Sequence, residues 1–309
     1  MRSAERCAGE VALRGERSAW CGVGGAVRRP EDADRFDRPM TGPTRERVMS
    51  QSSNSTAYGF IGAGEITAAI VEGLHAQDAE PPAVFLSPRG HAVAGELAAR
   101  FPGVQVCQSN QDVLDRATSI VLAVPLPVAQ DVLEQLSFRA EHVLLSAVAG
   151  LRLHQLRDSA ARAGSLVRTI PLPQAAHRQS LTTIYPDDTA ARALFERVGG
   201  VLVADDEQSL DAFGAVTATF AAHLDYLATI ADWLADQGID RATATGFTTH
   251  IFGQLGISLA QHENALATMT GKHATPGGNN ERLMAELRSE GMPDAVRRAL
   301  DHVFDRLRS

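Results

Sequence analysis

Two glycines at the end of a short apolar run are the residues of this chain best suited to bind a phosphate. The segment at residues 58–70, YGFIGAGEITAAI, passes from a strand through Gly62 and Gly64 into an alanine-rich helix. Gly62 allows a tight turn, Gly64 lets a pyrophosphate approach the backbone, and the helix start presents unpaired N–H groups. The third glycine of the usual Gly-x-Gly-x-x-Gly pattern is replaced by Thr67. Because a strand precedes the glycines and a helix follows, we interpret this segment as a dinucleotide site rather than an ordinary strand-helix turn.

The end of the second predicted strand indicates which dinucleotide is bound. An acidic residue there would bind the ribose hydroxyls of NAD, whereas small polar residues and Arg accept the 2′-phosphate of NADP. This strand ends in Ser87 and, two residues later, Arg89, with no carboxylate between them. The pattern favours NADPH over NADH; the alternative for Arg89 is an ordinary residue at the start of a solvated helix. The fourth strand ends in Ala123-Val124-Pro125, and we expect the nicotinamide near this carboxyl edge of the sheet.

An alternation of short strands with helix-length segments must position these residues. The strands are predicted at residues 58–62, 83–87, 104–107, 119–124, 142–147, 165–170, 181–186 and 201–203. This alternation predicts βαβ crossovers and a parallel, doubly wound sheet. The predicted fold is therefore α/β, with a Rossmann-type NADP-binding domain at residues 56–206.

The remainder of the chain, residues 207–309, is predicted to be an all-α domain for substrate binding and dimerisation. Predicted helices at residues 213–237 and 241–261 carry little charge along much of their length. This composition indicates that they are covered on more than one face. A dimer that interlocks these helices is our interpretation, and a large core within one chain is the alternative.

Residues 1–55 differ from the rest of the chain in composition. They are rich in Arg, Gly, Ser and Pro and lack helical or strand periodicity, which predicts a disordered leader. Acidic residues at positions 31, 32, 34 and 37 argue against an organelle transit peptide. A start codon assigned too early, with Met49 as the true start, explains this composition more simply; sequencing the N-terminus of natively expressed protein would test it.

The overall composition excludes several classes of protein. The chain has 309 residues, 44% of them hydrophobic and 21% charged, as in soluble globular proteins of about two domains. Its net charge of -8 argues against a nucleic-acid or anionic-membrane surface. No apolar stretch approaches the roughly 18 residues of a membrane span. The scattered Cys7, Cys21 and Cys107 predict neither a disulfide framework nor a metal site, and we expect a cytoplasmic protein.

These residues resemble those of the pyrroline-5-carboxylate reductase family, whose members use NADPH to reduce a cyclic imine to proline. The resemblance covers residues 58–305, and the family's GAGNMA-type loop corresponds to residues 62–67. Its AVKP segment is similar to residues 123–126, and its AAG turn is similar to residues 148–150. The cofactor site that the resemblance implies consists of Gly62, Ala63, Gly64, Glu65, Ile66, Ser87, Arg89, Asn110, Ala123, Val124 and Pro125.

A Pro-Gly-Gly turn in the last part of the chain is the most telling match. Residues 275–280, TPGGNN, are similar to the family's Ser-Pro-Gly-Gly-Thr-Thr segment, which holds the substrate carboxylate. A helix start also offers N–H groups to an anion on physical grounds alone, although a capping turn without a ligand is the alternative. The resemblance implies a set of substrate-binding residues, namely Gly277, Gly278, Asn279 and Asn280. It implies two catalytic residues: Asn280 donates a hydrogen bond at the imine and Glu263 lies near the iminium nitrogen. Apart from the resemblance, His273 is a candidate for proton relay, and an ordinary solvated histidine is the alternative.

The predicted substrate pocket departs from the family pattern. The family's MPNTP segment appears as residues 170–174, IPLPQ, and its glycine-rich entry into the helical domain aligns with residues 216–222, which contain no glycine. A predicted loop before the Pro-Gly-Gly turn gains Lys272 and His273. The dinucleotide loop is largely kept, although Glu65 replaces an Asn of the family. We interpret these changes as a sign of a changed substrate.

Three functions are compatible with this pattern. The first is an NADPH-dependent imine reductase acting on 1-pyrroline-5-carboxylate or a related imino acid, as a homodimer or a ring of dimers. The second is a catalytically inactive NADP-binding paralogue that acts as a sensor or partner. The third, a β-hydroxyacid dehydrogenase, would need a catalytic lysine on a long helix, and Lys272 is predicted to lie in a loop.

Overall fold

A mostly parallel sheet of eight strands forms the core of the protein. The computed structural model describes residues 57–76, 81–261 and 266–308, all within one compact unit. The strands are β1 (Tyr58–Ile61), β2 (Val84–Leu86), β3 (Val104–Val106), β4 (Ser119–Leu122), β5 (Val143–Ser146), β6 (Ser165–Ile170), β7 (Ser180–Tyr185) and β8 (Gly199–Val203). The helices are α1 (Glu65–His75), α2 (His91–Arg100), α3 (Asn110–Arg116), α4 (Leu126–Glu134), α5 (Leu153–Ser159), α6 (Thr189–Phe195), α7 (Glu207–Thr217), α8 (Thr219–Asp236), α9 (Arg241–Ala260), α10 (Leu266–His273), α11 (Asn279–Ser289) and α12 (Met292–Arg308).

The strand order is that of a doubly wound sheet. The strands lie in the order β3-β2-β1-β4-β5-β6-β7-β8, and β1 pairs in parallel with both β2 and β4. Every residue of β1 and β4 is buried, as expected for parallel strands covered by helices on both faces. The order reverses between β1 and β4, and such a switch point opens a crevice at the carboxyl ends of the strands. The predicted Rossmann-type fold is confirmed.

The prediction of a fully parallel sheet was wrong at one pair of strands. β6 and β7 are antiparallel, with Thr169 opposite Ile184. The segment between them holds only a short 3-10 helix, Pro173–His177. A parallel return needs a crossover of about a dozen residues or more, so this connection is too short for one.

The predicted helix at residues 213–237 is two helices in the structure. The first, α7, begins after Asp206, whose side chain accepts a hydrogen bond from the Ser209 N–H. It ends at Thr217, and α8 begins at Thr219. At the junction the Ala218 N–H bonds to the Ala215 carbonyl, three residues back, which tightens the turn and separates the two helices.

The second predicted helix is confirmed as α9, and both α8 and α9 leave apolar side chains exposed. In α8 only Ala231 is buried, and in α9 only Ala244 and Thr248 are. The large exposed hydrophobic residues of these two helices are Phe220, Leu224, Trp233, Phe247, Ile251, Leu255, Ile257 and Leu259. The composition of these helices predicted that more than one of their faces is buried, and within a single chain they are not buried in this way.

Some predictions fall outside this description. The predicted leader, residues 1–55, lies outside the described residues, and the domain boundary at residue 206 stays a prediction. Across the described ranges, no helix is long and apolar enough to span a membrane.

Candidate dinucleotide and substrate site

The glycine loop joins β1 to α1, and its two glycines meet different demands. Gly62 has a φ of 100°, and a Cβ atom there would overlap the Ala123 carbonyl oxygen of the neighbouring strand end. Gly64 is the N-cap of α1 with ordinary extended backbone, and no atom lies within 4 Å of the position of its missing Cβ. Gly62 is thus required by the fold, whereas Gly64 leaves open space in front of a helix start.

Two hydroxyl groups hold this loop in place. The Gly62 N–H donates to the Ser87 Oγ at 2.9 Å, and the Thr67 Oγ1 donates to the Gly62 carbonyl at 2.7 Å. Ser87 is 1% exposed and Thr67 is fully buried. Thr67, at the position of the third glycine, therefore fixes Gly62 from α1, and Ser87 fixes it from the end of β2.

The start of α1 offers amide groups toward the open space. The first backbone bond of the helix runs from the Ala68 N–H to the Gly64 carbonyl, so the N–H groups of residues 65–67 have no partner within the helix. Gly64 supplies no side-chain cap. Glu65 is exposed and places a carboxylate in this same first turn, a choice for which we have no physical explanation.

The turn after β2 packs directly against the glycine loop. A Cβ on Gly90, whose φ is 85°, would lie 2.7 Å from the Ala63 carbonyl oxygen. Arg89 beside it is exposed, and the first turn of α2 carries no acidic residue. A cationic side chain therefore stands next to the dinucleotide loop with no carboxylate in the adjoining helix turn.

The other predicted cofactor residues follow the next strands in order. Asn110 is half-buried and is the first residue of α3. Ala123 and Val124 are half-buried after β4, and Pro125 is the exposed N-cap of α4. Because β1 to β4 are parallel, all the predicted cofactor residues lie along one edge of the sheet. Their individual contacts with a cofactor stay predictions.

A cavity of about 200 Å³ lies at the carboxyl ends of β5 and β6. It is bounded by α1, by the turn after β5, by the end of β6 and by the helices α7 and α12. Its lining residues are Ile66, Ser146, Ala147, Val148, Ala149, Gly150, Arg168, Thr169, Ile170, Pro171, Leu210, Asp211, Gly214, Thr217 and Leu307. Ile66 belongs to the predicted cofactor site, so one predicted cofactor residue also lines this cavity.

A cluster of four charged side chains includes Arg168 and Asp211, which line the cavity. Arg168 lies 2.8 Å from the Asp211 carboxylate and 3.0 Å from that of Glu207. Arg152 completes the cluster at 3.2 Å from Glu207 and 3.4 Å from Asp211. The Asp211 side chain is 0% exposed and that of Arg168 is 6% exposed, so each depends on the other for charge compensation.

Electrostatics in this cluster keep Glu207 ionised. Burial alone would raise the pKa of the Glu207 carboxyl, but the Leu153 N–H, Arg168 and Arg152 outweigh it and hold that pKa below its usual range. The Leu153 N–H donates to Glu207 at 2.8 Å, which ties the start of α5 to α7. Sequence reasoning missed this cluster. An arginine in the middle of a predicted strand, β6, was the available signal.

The Pro-Gly-Gly turn lies elsewhere in the chain, before α11. The Gly278 N–H bonds to the Thr275 carbonyl at 2.8 Å, and the Gly277 N–H donates to the Glu281 Oε2 at 2.6 Å. The Asn280 Nδ2 donates to the His273 carbonyl at 3.1 Å. Two of the four backbone amides predicted to bind a carboxylate are therefore engaged within the turn, and those of residues 279 and 280 are at the open helix start.

The structure does not bring this turn to the cavity beside the sheet. Among the described residues, none of residues 275–280 lines that cavity, and Asn280 instead borders a surface pocket with Tyr226, Leu283 and Met292. Glu263, the other predicted catalytic residue, lies outside the described residues. The expectation that Lys272 and His273 lie in a loop was wrong, because they form the end of α10.

Neither a catalytic lysine nor a metal centre is found in the described part of the chain. Lys272 is the only lysine in the sequence, and it is exposed on the short helix α10. No group of three or more His, Cys, Asp or Glu side chains in the described ranges could hold a metal ion.

The sheet, its glycine loop and the attached helices define the class of this protein as a Rossmann-fold oxidoreductase that uses a nicotinamide dinucleotide. Comparison with known proteins narrows the class. The family model described as NADP oxidoreductase, coenzyme F420-dependent, matches residues 57–150. The model described as pyrroline-5-carboxylate reductase dimerisation matches residues 207–309, so the helical part is of a type that dimerises.

Named relatives agree with these matches. The pyrroline-5-carboxylate reductase of Pseudomonas aeruginosa is 26% identical over 258 residues, which cover 80% of this chain and 94% of the relative. The structure of 1-pyrroline-5-carboxylate reductase from Streptococcus pyogenes has a TM-score of 0.71 at 23% identity and covers 83% of this chain and 99% of its own. That of Plasmodium falciparum pyrroline carboxylate reductase with NADP bound has a TM-score of 0.68 at 14% identity, with 82% and 98% covered. The dimerisation match and these named relatives support membership of the pyrroline-5-carboxylate reductase family.

Proposed function

We propose that this protein is an NADPH-dependent imine reductase that converts 1-pyrroline-5-carboxylate, or a related imino acid, to the saturated amino acid. The observation that carries the proposal is the open space at Gly64, in front of the uncapped start of α1, whose Ile66 lines the cavity at β5 and β6. A pyrophosphate fits the first feature and a nicotinamide ring fits the second. Relatives named as reductases of this imine support the choice of substrate.

NADPH is the proposed cofactor because of the charge beside the glycine loop. Arg89 is exposed next to Gly90, which packs on Ala63, and no acidic residue occupies the first turn of α2. An NAD-specific site would place a carboxylate at the end of β2, where this chain has Ser87. The Plasmodium falciparum relative has NADP bound, which agrees with this preference.

The chain's own part in the reaction is to hold and orient the reactants. When bound, the dinucleotide supplies the hydride. Residues of the glycine loop would hold its phosphates, and the turn after β5 would hold the nicotinamide beside the apolar end of β6. Hydrogen bonds from the turn before α11 would position the imine, with Asn280 and Glu263 near its nitrogen. Fixing two reactants in contact removes much of the entropic barrier to their reaction.

A second copy of the chain would complete this site. In one chain, the described residues of the Pro-Gly-Gly turn do not line the cavity beside the sheet. The exposed apolar faces of α8 and α9 need a cover, and the dimerisation match spans both helices. We therefore take the functional unit to be a homodimer, alone or in a ring of dimers, in which helices of one copy bring the turn to the cavity of the other.

Turnover with defined imines tests the proposed function. The purified protein should consume NADPH with 1-pyrroline-5-carboxylate or with another member of a panel of cyclic imines, and it should consume NADH more slowly. A Gly64→Val variant, blocked at the phosphate position, serves as the matched control and should lose this activity. NADPH binding without consumption across the whole panel would overturn the reductase proposal and favour an inactive dinucleotide-binding paralogue.

A further inference from the structure

The Glu281 carboxylate occupies part of the turn at which a substrate carboxylate is expected. Its Oε2 accepts a hydrogen bond from the Gly277 N–H at 2.6 Å, a short contact for an amide donor. Glu281 is the third residue of α11, after the N-cap Gly278, and it is half-buried. The side chain therefore reaches back past the N-cap and places a negative charge at the Pro-Gly-Gly turn.

This carboxylate changes what the turn can bind. The Gly278 N–H is bonded to the Thr275 carbonyl and the Gly277 N–H to Glu281, so the amides left for a ligand are those of residues 279–281 at the helix start. A ligand carboxylate placed there would stand beside the Glu281 carboxylate, and two like charges at such a distance repel each other. An imine without a carboxylate meets no such repulsion.

We propose that Glu281 is a specificity-determining residue of the substrate site, which weakens binding of imines that carry a carboxylate relative to those that do not. The inference rests on the proposed function, in which this turn faces the imine. Under it, the enzyme accepts 1-pyrroline-5-carboxylate with reduced affinity and also reduces the unsubstituted ring, 1-pyrroline. The substrate class is thereby widened from imino acids to cyclic imines.

A purely structural role for Glu281 makes a different prediction. A carboxylate near a helix N-terminus stabilises the helix by about 0.3–1 kcal/mol, and its loss would disturb the turn for every ligand. Both imines would then lose affinity together. The ratio of kcat/KM for 1-pyrroline-5-carboxylate to kcat/KM for 1-pyrroline separates the two roles, because loss of helix stability affects both terms equally.

The experiment measures this ratio at saturating NADPH for the full-length protein and three variants. Glu281→Ala removes the occupant of the turn, and Glu281→Gln keeps its shape without its charge. Glu286→Ala removes the same charge from an exposed position of the same helix and serves as the matched control. We expect both changes at residue 281 to raise the ratio about tenfold, equivalent to about 1.4 kcal/mol, through a lower KM for the carboxylated imine. The control should change the ratio by less than about twofold.

Two results would count against the inference in distinguishable ways. Equal changes in kcat/KM for both imines, or an unchanged ratio in the Glu281→Gln variant, would overturn the specificity role and leave the reductase proposal intact. Absence of turnover of both imines by the unmodified protein, with NADPH bound, would instead overturn the proposed function itself.

Discussion

The Ser87 hydroxyl lies beneath the glycine loop, where it accepts a hydrogen bond from the Gly62 N–H at 2.9 Å. Sequence reasoning assigned Ser87 to the 2′-phosphate of NADP, but the structure gives it a second task. The hydroxyl hydrogen is still available to a phosphate, but Ser87 is only 1% exposed. Recognition of the 2′-phosphate would then depend mainly on the exposed Arg89.

Substitutions at these two positions should therefore differ in cofactor selectivity. Ser87→Ala leaves the Gly62 N–H without its partner, so it should weaken NADPH and NADH binding by similar factors and cost about 1–3 kcal/mol of stability. Arg89→Ala should weaken NADPH binding about tenfold or more and leave NADH nearly unaffected. Dissociation constants from isothermal titration calorimetry check this. Equal losses for both cofactors in Arg89→Ala would contradict the assignment of Arg89.

Substitution of the two loop glycines should have different effects: one should reduce NADPH affinity and the other should reduce stability. Gly64→Val fits an extended backbone and open space, so the free energy of unfolding should change by less than about 0.5 kcal/mol while NADPH affinity falls about tenfold or more. Gly62→Ala, with a positive φ and an overlap with Ala123, should destabilise the fold by at least about 1–3 kcal/mol. Thermal unfolding and NADPH titration of both variants measure this. Full NADPH affinity in Gly64→Val would show that the phosphates bind elsewhere.

Loss of Arg168 from the charge cluster should lower the free energy of unfolding more than loss of Arg152. Arg168→Met leaves the fully buried Asp211 without its main partner and should cost about 3–5 kcal/mol. Arg152→Met removes a side chain that is 23% exposed and makes longer contacts, and it should cost about 1 kcal/mol. Urea unfolding of the two variants gives the comparison. A larger loss of stability in Arg152→Met than in Arg168→Met would mean that Arg152, and not Arg168, is the main partner of the Asp211 charge.

Stability should fall on mild acidification because of His142. This fully buried imidazole accepts a hydrogen bond from the Arg139 N–H on Nδ1, so Nε2 carries the proton and donates to the Leu114 carbonyl at 3.1 Å. Burial lowers the pKa of His142 from its ordinary value of 6.5, and the Arg139 charge lowers this pKa further. The stabilisation is present above that ordinary value and is lost as the pH falls toward the lowered one.

Because one proton is taken up, the free energy of unfolding can fall by at most about 1.4 kcal/mol per pH unit. His142→Gln, which cannot be protonated, should show a flatter dependence of the free energy of unfolding on pH between about 7.5 and 5.5. Urea unfolding at several pH values supplies the measurement. An NMR titration that placed the pKa of His142 above 6.5 would contradict the sign of the effect.

Much of the fold followed from local sequence patterns, because apolar strands and turn glycines carry strong local signals. The eight strands and the cofactor edge were predicted in this way. The antiparallel β7 was missed because direction depends on the length of one connection, and the break at Ala218 was missed because alanine favours helix. The cluster of Arg168 and Asp211 joins residues 43 positions apart by tertiary contact, and the contact of Glu281 with Gly277 depends on one rotamer. Neither leaves a periodic pattern in the sequence.

Transfer of a hydride from the dinucleotide to an imine carbon is the central claim, and isotope labelling tests it most directly. The protein is incubated with 1-pyrroline-5-carboxylate and NADPH deuterated at both C4 positions of the nicotinamide, and the product is analysed by mass spectrometry. We expect proline that carries a single deuterium at the former imine carbon. Proline without deuterium, or no proline while labelled NADPH remains bound and unconsumed, would contradict the claim.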